Sequence, residues 1–356
     1  MIPRASRPDL DAAIDSAIDR IRSRADVLGD GFGALADAVG RAASGGKRFR
    51  PALVCESYDA FGGSPAALAE VHRIAAAFEL LHAAFVVHDD VIDHDTVRRG
   101  IPNVAGEFRM RARGLGADAA GAALLGDAAA ILGGDLLLHE ALRLVALADV
   151  PGPARTRVLE LLDDAVYVSA AGELADVENS VVSDDAMLDE DDASHLLATA
   201  FNKTGVYSFR APLVAGAVLA GAPEEALDAL ESAADRLGLA FQLVDDLIGA
   251  FGSAEQAGRE TGGDLREAKR TPLVAFARKT PVWEQVDSAL AVAHTGPIAV
   301  REAQRMLEDS GARVQLRDLI IATLDEVRLD AEADVFPPRV AGLLRALADS
   351  IQERVP

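Results

Sequence analysis

The chain has 356 residues, half of them apolar, and carries 57 acidic against 35 basic side chains, a formal charge of −22. That length allows one large or two ordinary cores, and that charge argues against a nucleic-acid partner, which calls for a basic face. The single cysteine, Cys55, excludes an internal disulfide and any multi-cysteine metal site.

In chain order, region 1–30 shows Leu10, Ile14, Ile18 and Ile21 at helical spacing among charges, without the apolar core of a signal peptide. GGKRFRP at 45–51 places paired glycines before Lys47, Arg48 and Arg50, a short positive patch suited to phosphate oxygens. Residues 67–92 read as a long helix carrying Val71, Ile74, Phe78, Leu81 and Phe85, and the stretch VVHDDVID closes it. RRG follows at 98–100. Segments 122–148 and 155–178 read as further long helices, the second with Gly172 inside it. The acidic run 184–192 is expected to be a solvated loop. Segment 194–220 contains KTG at 203–205 and passes Pro212, where a kink or a new helix start is expected. Segment 227–251 carries Leu237, Phe241, Val244 and Leu247, with FQLVDDLIG at its end, and GRETGGD at 258–264 and EAKRT at 267–271 come next.

Alanine and leucine dominate and strand formers are sparse, so the expected fold class is all-α. The absence of a composition shift points to one large domain over 1–356, a helical bundle around a central cavity. The longest apolar stretches are interrupted, as by Asp135 and His139, so no membrane span is expected and a cytoplasmic location is.

On a helix, Asp89 and Asp93 are one turn apart, and Asp90 lies three residues before Asp93. Carboxylates on one face repel unless a cation neutralises them. Oxygen-rich groups of this kind suit magnesium, which often bridges carboxylates to a substrate's phosphates. Asp245 and Asp246 form a second pair after another apolar run, and two such clusters facing each other across a bundle cavity would suit a diphosphate. The basic groups at 45–51, 98–100, 203–205, 258–264 and 267–271 would meet the remaining phosphate charge.

With these motifs in this order, the chain over roughly residues 40–275 resembles the trans-isoprenyl diphosphate synthases, the polyprenyl synthetase family. The resemblance implies an isoprenoid-synthase-type bundle, probing two diphosphates with separate basic groups. By that likeness GKRFRP supplies Lys47 and Arg50, and His82 joins them, as ligands of isopentenyl diphosphate. DDVID is similar to the first aspartate-rich motif, making Asp89 and Asp93 the principal magnesium ligands with Asp90 in support. Arg98 would face the allylic diphosphate and Arg99 the isopentenyl one. LLGDAAAILGGDLL at 124–137 resembles a family helix, and Gly172–Asp176 a GQxxD element with Glu173 in place of Gln. Lys203 and Thr204 match the KT pair near the allylic diphosphate. Phe241, Gln242, Asp245 and Asp246 match the second motif, whose last aspartate is here Gly249. Arg259 stands where a lysine is usual, Lys269 matches a later phosphate-binding lysine, and Ala268 sits where glycine is commoner.

The implied reaction is head-to-tail condensation of isopentenyl diphosphate with an allylic diphosphate, with about three magnesium ions per site and a homodimeric assembly. Chain length in the family is set by bulk just before the first aspartate cluster, so Ala84 leaves room and Phe85 partly blocks. The motif also lacks the insertion found in many farnesyl-forming members. Geranylgeranyl diphosphate is the first expectation; farnesyl or longer products, and a noncatalytic subunit that binds prenyl diphosphate, are the alternatives. An HD phosphohydrolase would need further histidines on other helices, and the seven present form no such set. A terpene cyclase would not need GKRFRP and RRG for a second diphosphate.

Overall fold

The computed structural model describes residues 7–181, 192–257 and 261–356. Arg259 and residues 184–191 of the acidic run lie outside the described residues. The described chain is helical apart from one short hairpin, as expected of an all-α protein, and it divides into two compact units.

The first unit comprises residues up to 162 together with 212–222. It holds α1 (Arg7–Arg22), α2 (Ala25–Leu28), α3 (Asp30–Ala43), α4 (Phe49–Ala60), α5 (Leu68–Ile92), α6 (Val104–Gly114), α7 (Ala119–Ala146) and the first part of α8 (Gly152–Val181). Helix α5 is its axis: Val71, Ile74, Phe78 and Leu81 recur at three- and four-residue spacing and are almost fully buried. Burying each such side chain stabilises the fold by roughly 1.5–3 kcal/mol. Helix α7 packs along α5 and α6 and starts at Asp118, whose carboxylate accepts from Gly121 N at 2.8 Å. Among the described residues, α7 is the one helix long and apolar enough to cross a membrane by length and composition, and 39% of its most apolar stretch is buried in the fold. Its Asp127 is tied to Arg109 of α6 at 2.9 Å.

The hairpin was not expected from the sequence. Strands β1 (Val97–Arg98) and β2 (Ile101–Pro102) pair antiparallel, and the two loop residues, Arg99 and Gly100, have φ of 53° and 79°. Two successive left-handed residues are what a two-residue type I′ hairpin loop requires, and RRG meets that need with its glycine second. Asn103 fastens the hairpin, donating to the Asp95 carbonyl at 2.9 Å and capping α6 at Gly106 N, also at 2.9 Å.

The second unit comprises 163–211 and 223–356. It contains the rest of α8, α9 (Asp192–Gly205), a π-helical turn at Val206–Arg210, α11 (Glu224–Phe251), α12 (Ala254–Ala257), α13 (Gly263–Arg266), α14 (Pro272–Arg278), α15 (Trp283–Ala291), α16 (Pro297–Asp309), α17 (Ala312–Asp330) and α18 (Pro338–Gln352). Its centre is α11 packed against α17; Leu237, Val244 and Leu247 of the one and Leu316, Ile320 and Leu324 of the other are all at most 1% exposed. The π-helical turn stands immediately before α10 (Ala211–Ala220), so the break expected at Pro212 falls on the residues ahead of it. Proline lacks an N–H, and the widened turn accommodates the missing bond.

Candidate active site

In the first unit, GKRFRP joins α3 to α4 through a backbone that only special residues permit. Gly45, Gly46 and Arg48 all have positive φ, 76°, 82° and 54°. Arg48 holds that conformation because its buried guanidinium donates to Glu79 Oε1 of α5 and to the Ala43 carbonyl, each at 3.0 Å, and reaches Asp11 of α1 at 3.0 Å. Arg48 is therefore the anchor of the loop, a role the sequence did not disclose. Lys47 is left exposed and Arg50 half-buried at the start of α4.

Three arginines from two motifs converge on His82. Burial, and then the charges of Arg50, Arg98 and Arg99, hold its imidazole well below the usual histidine range. It is therefore neutral and brings no charge of its own to the three arginines. Arg99 also lies over the paired glycines: side chains at 45 or 46 would come within 4.0 and 3.9 Å of its guanidinium.

The first aspartate cluster closes α5. Asp90 is buried and takes two bonds from Arg98, Nε at 2.8 Å and Nη2 at 2.7 Å, while Nη2 lies 3.6 Å from Asp89. Burial pushes the Asp90 carboxyl up and outweighs the arginine. Asp89 is half-buried and Asp93, the C-cap of α5, is exposed. Asp90 thus faces Arg98, whereas Asp89 and Asp93 keep more open positions. His88 points elsewhere: its ring lies against Gly134 of α7, with Nε2 3.2 Å from the Ile131 carbonyl. Ala84 is fully buried and Phe85 half-buried.

In the second unit, glycines bring the site helices together. A side chain at Gly172 of α8 would come within 2.3 Å of the Lys203 amide, and one at Gly238 of α11 within 2.7 Å of Gly205 Cα. These approaches seat Lys203 against α8, where its ammonium meets Asp176 at 2.7 Å and Glu173 at 3.0 Å. The unusual Glu173 thus adds a negative charge beside the KT lysine. Thr204 is half-buried on α9.

On α11, Gln242 Nε2 donates to Asp246 Oδ1 at 3.0 Å, and Asp245 accepts from Arg354 Nη2. Asp246 is buried, and burial first, then the nearby Asp264 charge, push its carboxyl up to about 7. The motif's apparent gap is filled from elsewhere: a Cβ at Gly249 would lie 1.7 Å from Asp264 Oδ2. Asp264, at the start of α13, thereby occupies the space that an aspartate at 249 would have taken. It was within GRETGGD, but only as part of a basic group; the missing carboxylate at 249 was the signal that could have singled it out. Lys269 lies 3.9 Å from Asp264 and 3.3 Å from Glu267. Ala268 has a φ of 52°, which explains why glycine would be commoner there.

Each unit thus carries acidic side chains interleaved with basic ones on helices, the chemistry of a protein that handles phosphates through hard cations. The polyprenyl synthetase signature matches residues 34–308, and the chain belongs to that family. A geranylgeranyl diphosphate synthase of Sulfolobus acidocaldarius is 31% identical over 233 residues, 65% of this chain and 62% of that protein. A (2E,6E)-farnesyl diphosphate synthase of Mycobacterium tuberculosis is 32% identical over 283 residues, 79% of this chain and 66% of that protein. The chain therefore spans under two thirds of the length of these two relatives. A Corynebacterium glutamicum geranylgeranyl pyrophosphate synthase, crystallised with isoprenyl diphosphate and magnesium, aligns at a TM-score of 0.87 with 25% identity over 99% of each chain.

Among the described residues, no three histidine, cysteine, aspartate or glutamate side chains form a ready metal group. Asp90 is engaged by Arg98, Asp245 by Arg354 and Asp246 by Gln242. The donors on offer are nevertheless carboxylate oxygens, the ligands magnesium prefers. The space at Gly249, filled by the Asp264 carboxylate, adds another such oxygen to the second cluster. The residues present fit the metal.

Proposed function

We propose that this chain is a trans-prenyltransferase that condenses isopentenyl diphosphate with an allylic diphosphate, head to tail and with magnesium, to make geranylgeranyl diphosphate. The observation that carries the reading is the retention of both aspartate clusters, each beside its own basic residues, in a member of this family. Asp89, Asp90, Asp93, Asp245 and Asp246 would hold magnesium, with Asp264 supplying the carboxylate absent from position 249. Bound magnesium would supply Lewis acidity and neutralise charge on the leaving diphosphate.

The protein's own contribution is binding and electrostatics. Lys47, Arg50, Arg99 and neutral His82 hold the isopentenyl diphosphate, whereas Arg98, Lys203, Thr204 and Lys269 serve the allylic one. Gln242 orients Asp246, and Arg259 adds positive charge. These cations stabilise the negative charge that develops as the allylic carbon–oxygen bond breaks. The double bond of isopentenyl diphosphate attacks the allylic cation, and the departing proton goes to the released diphosphate, so no side-chain base is needed. Ala84 and Phe85, before Asp89, set product length.

We read the whole chain as one functional domain, cytoplasmic and homodimeric. The exposed Leu124, Ile131 and Leu132 of α7, an apolar face that a second copy would cover, support the dimer. The chain is similar to both a farnesyl and a geranylgeranyl diphosphate synthase, and the absence of a bulky residue at Ala84 favours the longer product.

The test is incubation of purified protein with magnesium, isopentenyl diphosphate and, separately, five-, ten- and fifteen-carbon allylic diphosphates. Elongation to twenty carbons is expected. No elongation from any primer refutes the enzyme, and arrest at fifteen carbons refutes the product. Phe85→Ala should lengthen the product by at least one five-carbon unit; an unchanged distribution removes Phe85 from length control.

A further inference from the structure

The second aspartate cluster has an occupant that the reading above leaves unexplained. Arg354 follows α18, and its Nη2 donates to Asp245 Oδ1. Its guanidinium carbon lies 4.4 Å over the ring of Phe241, one helical turn before Asp245 on α11. The neighbouring segment is held in the same way: Arg313 stacks 4.4 Å over Phe251 of α11 and donates to the Pro356 carbonyl at 3.1 Å. Two arginine–phenylalanine stacks therefore press residues 354–356 onto the helix that carries the cluster.

We propose that Arg354 is the resident counter-cation of Asp245 before metal binds, and that a divalent cation must displace it. This rests on the assignment of Asp245 as a metal ligand. The guanidinium and an inner-sphere cation would compete for the same carboxylate oxygen, and their like charges repel. The pairing is suited to exchange. Arg354 uses one prong of its fork on Asp245, and its Nη1, although buried, has no hydrogen-bond partner among the described residues. A bidentate pair would be harder to open. Both side chains remain over a third exposed, so a hydrated cation has access. Arg354 thus acts as a positioning residue: it keeps Asp245 oriented and neutralised while the site is empty, at the expense of metal affinity.

The test is direct Mn2+ binding, read as free Mn2+ by electron paramagnetic resonance, on the full chain without any diphosphate. Arg354→Gln should tighten Mn2+ roughly ten-fold, because the competing cation is gone. Phe241→Leu, which keeps the arginine but removes its seat, should tighten it roughly three-fold. Arg313→Gln, which removes the α17 charge that holds Pro356 without touching Asp245, should leave affinity within about two-fold. Unchanged or weaker binding in Arg354→Gln overturns the proposal, as does equal tightening by Arg313→Gln. If circular dichroism shows Arg354→Gln to be unfolded, Phe241→Leu decides by the same criterion. Asp245→Asn separates the two layers of the argument: unchanged Mn2+ binding there refutes Asp245 as a ligand, whereas weakened binding with no gain in Arg354→Gln refutes only the role of Arg354.

Discussion

Replacing Gly249 by alanine tests whether the second aspartate motif is complete as it stands. In an exposed helix the change would stabilise by about 1 kcal/mol, since glycine is the poorer helix former. Here the new Cβ would fall 1.7 Å from Asp264 Oδ2 and 2.5 Å from its Cγ. Neither atom is the free end of a mobile chain, because Asp264 is buried. Overpacking of this kind costs about 1–3 kcal/mol, and shifting a buried carboxylate from its place puts the figure at the upper end. The net expectation is a loss of about 2 kcal/mol. In an Asp264→Ala background the obstruction is gone, and the same change should stabilise by up to about 1 kcal/mol. Urea denaturation of the four proteins in the cycle measures a coupling of about 3 kcal/mol, and the sign reversal is the signature. If Gly249→Ala is neutral in the parent, or costs the same in both backgrounds, Asp264 does not fill that space. Restoring the common motif with Gly249→Asp should be worse than alanine, since it brings a further carboxylate to Asp246 and Asp264.

Glu173→Gln removes one of the two carboxylates that hold Lys203. It should lower KM for the allylic diphosphate roughly five-fold, the equivalent of about 1 kcal/mol for a part-buried pair; steady-state kinetics showing no change would separate Glu173 from substrate binding. Ala268→Gly should raise stability by about 0.5–1 kcal/mol, the relief of a left-handed Cβ less the added freedom of the unfolded chain, and a lower denaturation midpoint would contradict the strain. His82 sets a pH dependence. Its folded pKa is depressed by burial and by Arg50, Arg98 and Arg99. As pH falls through about 6.5, the unfolded chain takes up a proton that the folded one refuses, and stability falls by up to about 1.4 kcal/mol per pH unit. His82→Gln removes that slope, so the two proteins' urea midpoints should converge or cross between pH 7.5 and 5.5; parallel profiles would refute it.

What could be read from the sequence was local. Asp89 and Asp93 declare themselves because their chemistry and spacing fall within one helical turn, and α5, α7 and α11 declare themselves by periodic apolar residues. The hairpin escaped because two-residue strands leave no alternation to detect, and RRG read as charge instead of as a turn. Asp264 and Arg354 escaped for a different reason. Their meaning lies in long-range packing, against Gly249 in one case and Asp245 in the other, and no short window contains both partners. Arg48 shows the same limit: it sits among phosphate-binding candidates, yet its guanidinium is spent on Glu79, Asp11 and a carbonyl.

The hairpin also sorts its two arginines by parity. Arg98 ends β1 and turns to the aspartates of α5, while Arg99, one residue later and in the left-handed loop, lies over Gly45 and Gly46. Adjacent side chains are thereby turned to different neighbours by nothing more than the step of the backbone. A single uncharged residue inserted between Val97 and Arg98 would shift both arginines one step along the turn without altering the charge of the loop. The length of this turn, as much as its composition, is what keeps the neighbours of Arg98 and Arg99 distinct, and in the proposed reaction it would keep the two diphosphates apart.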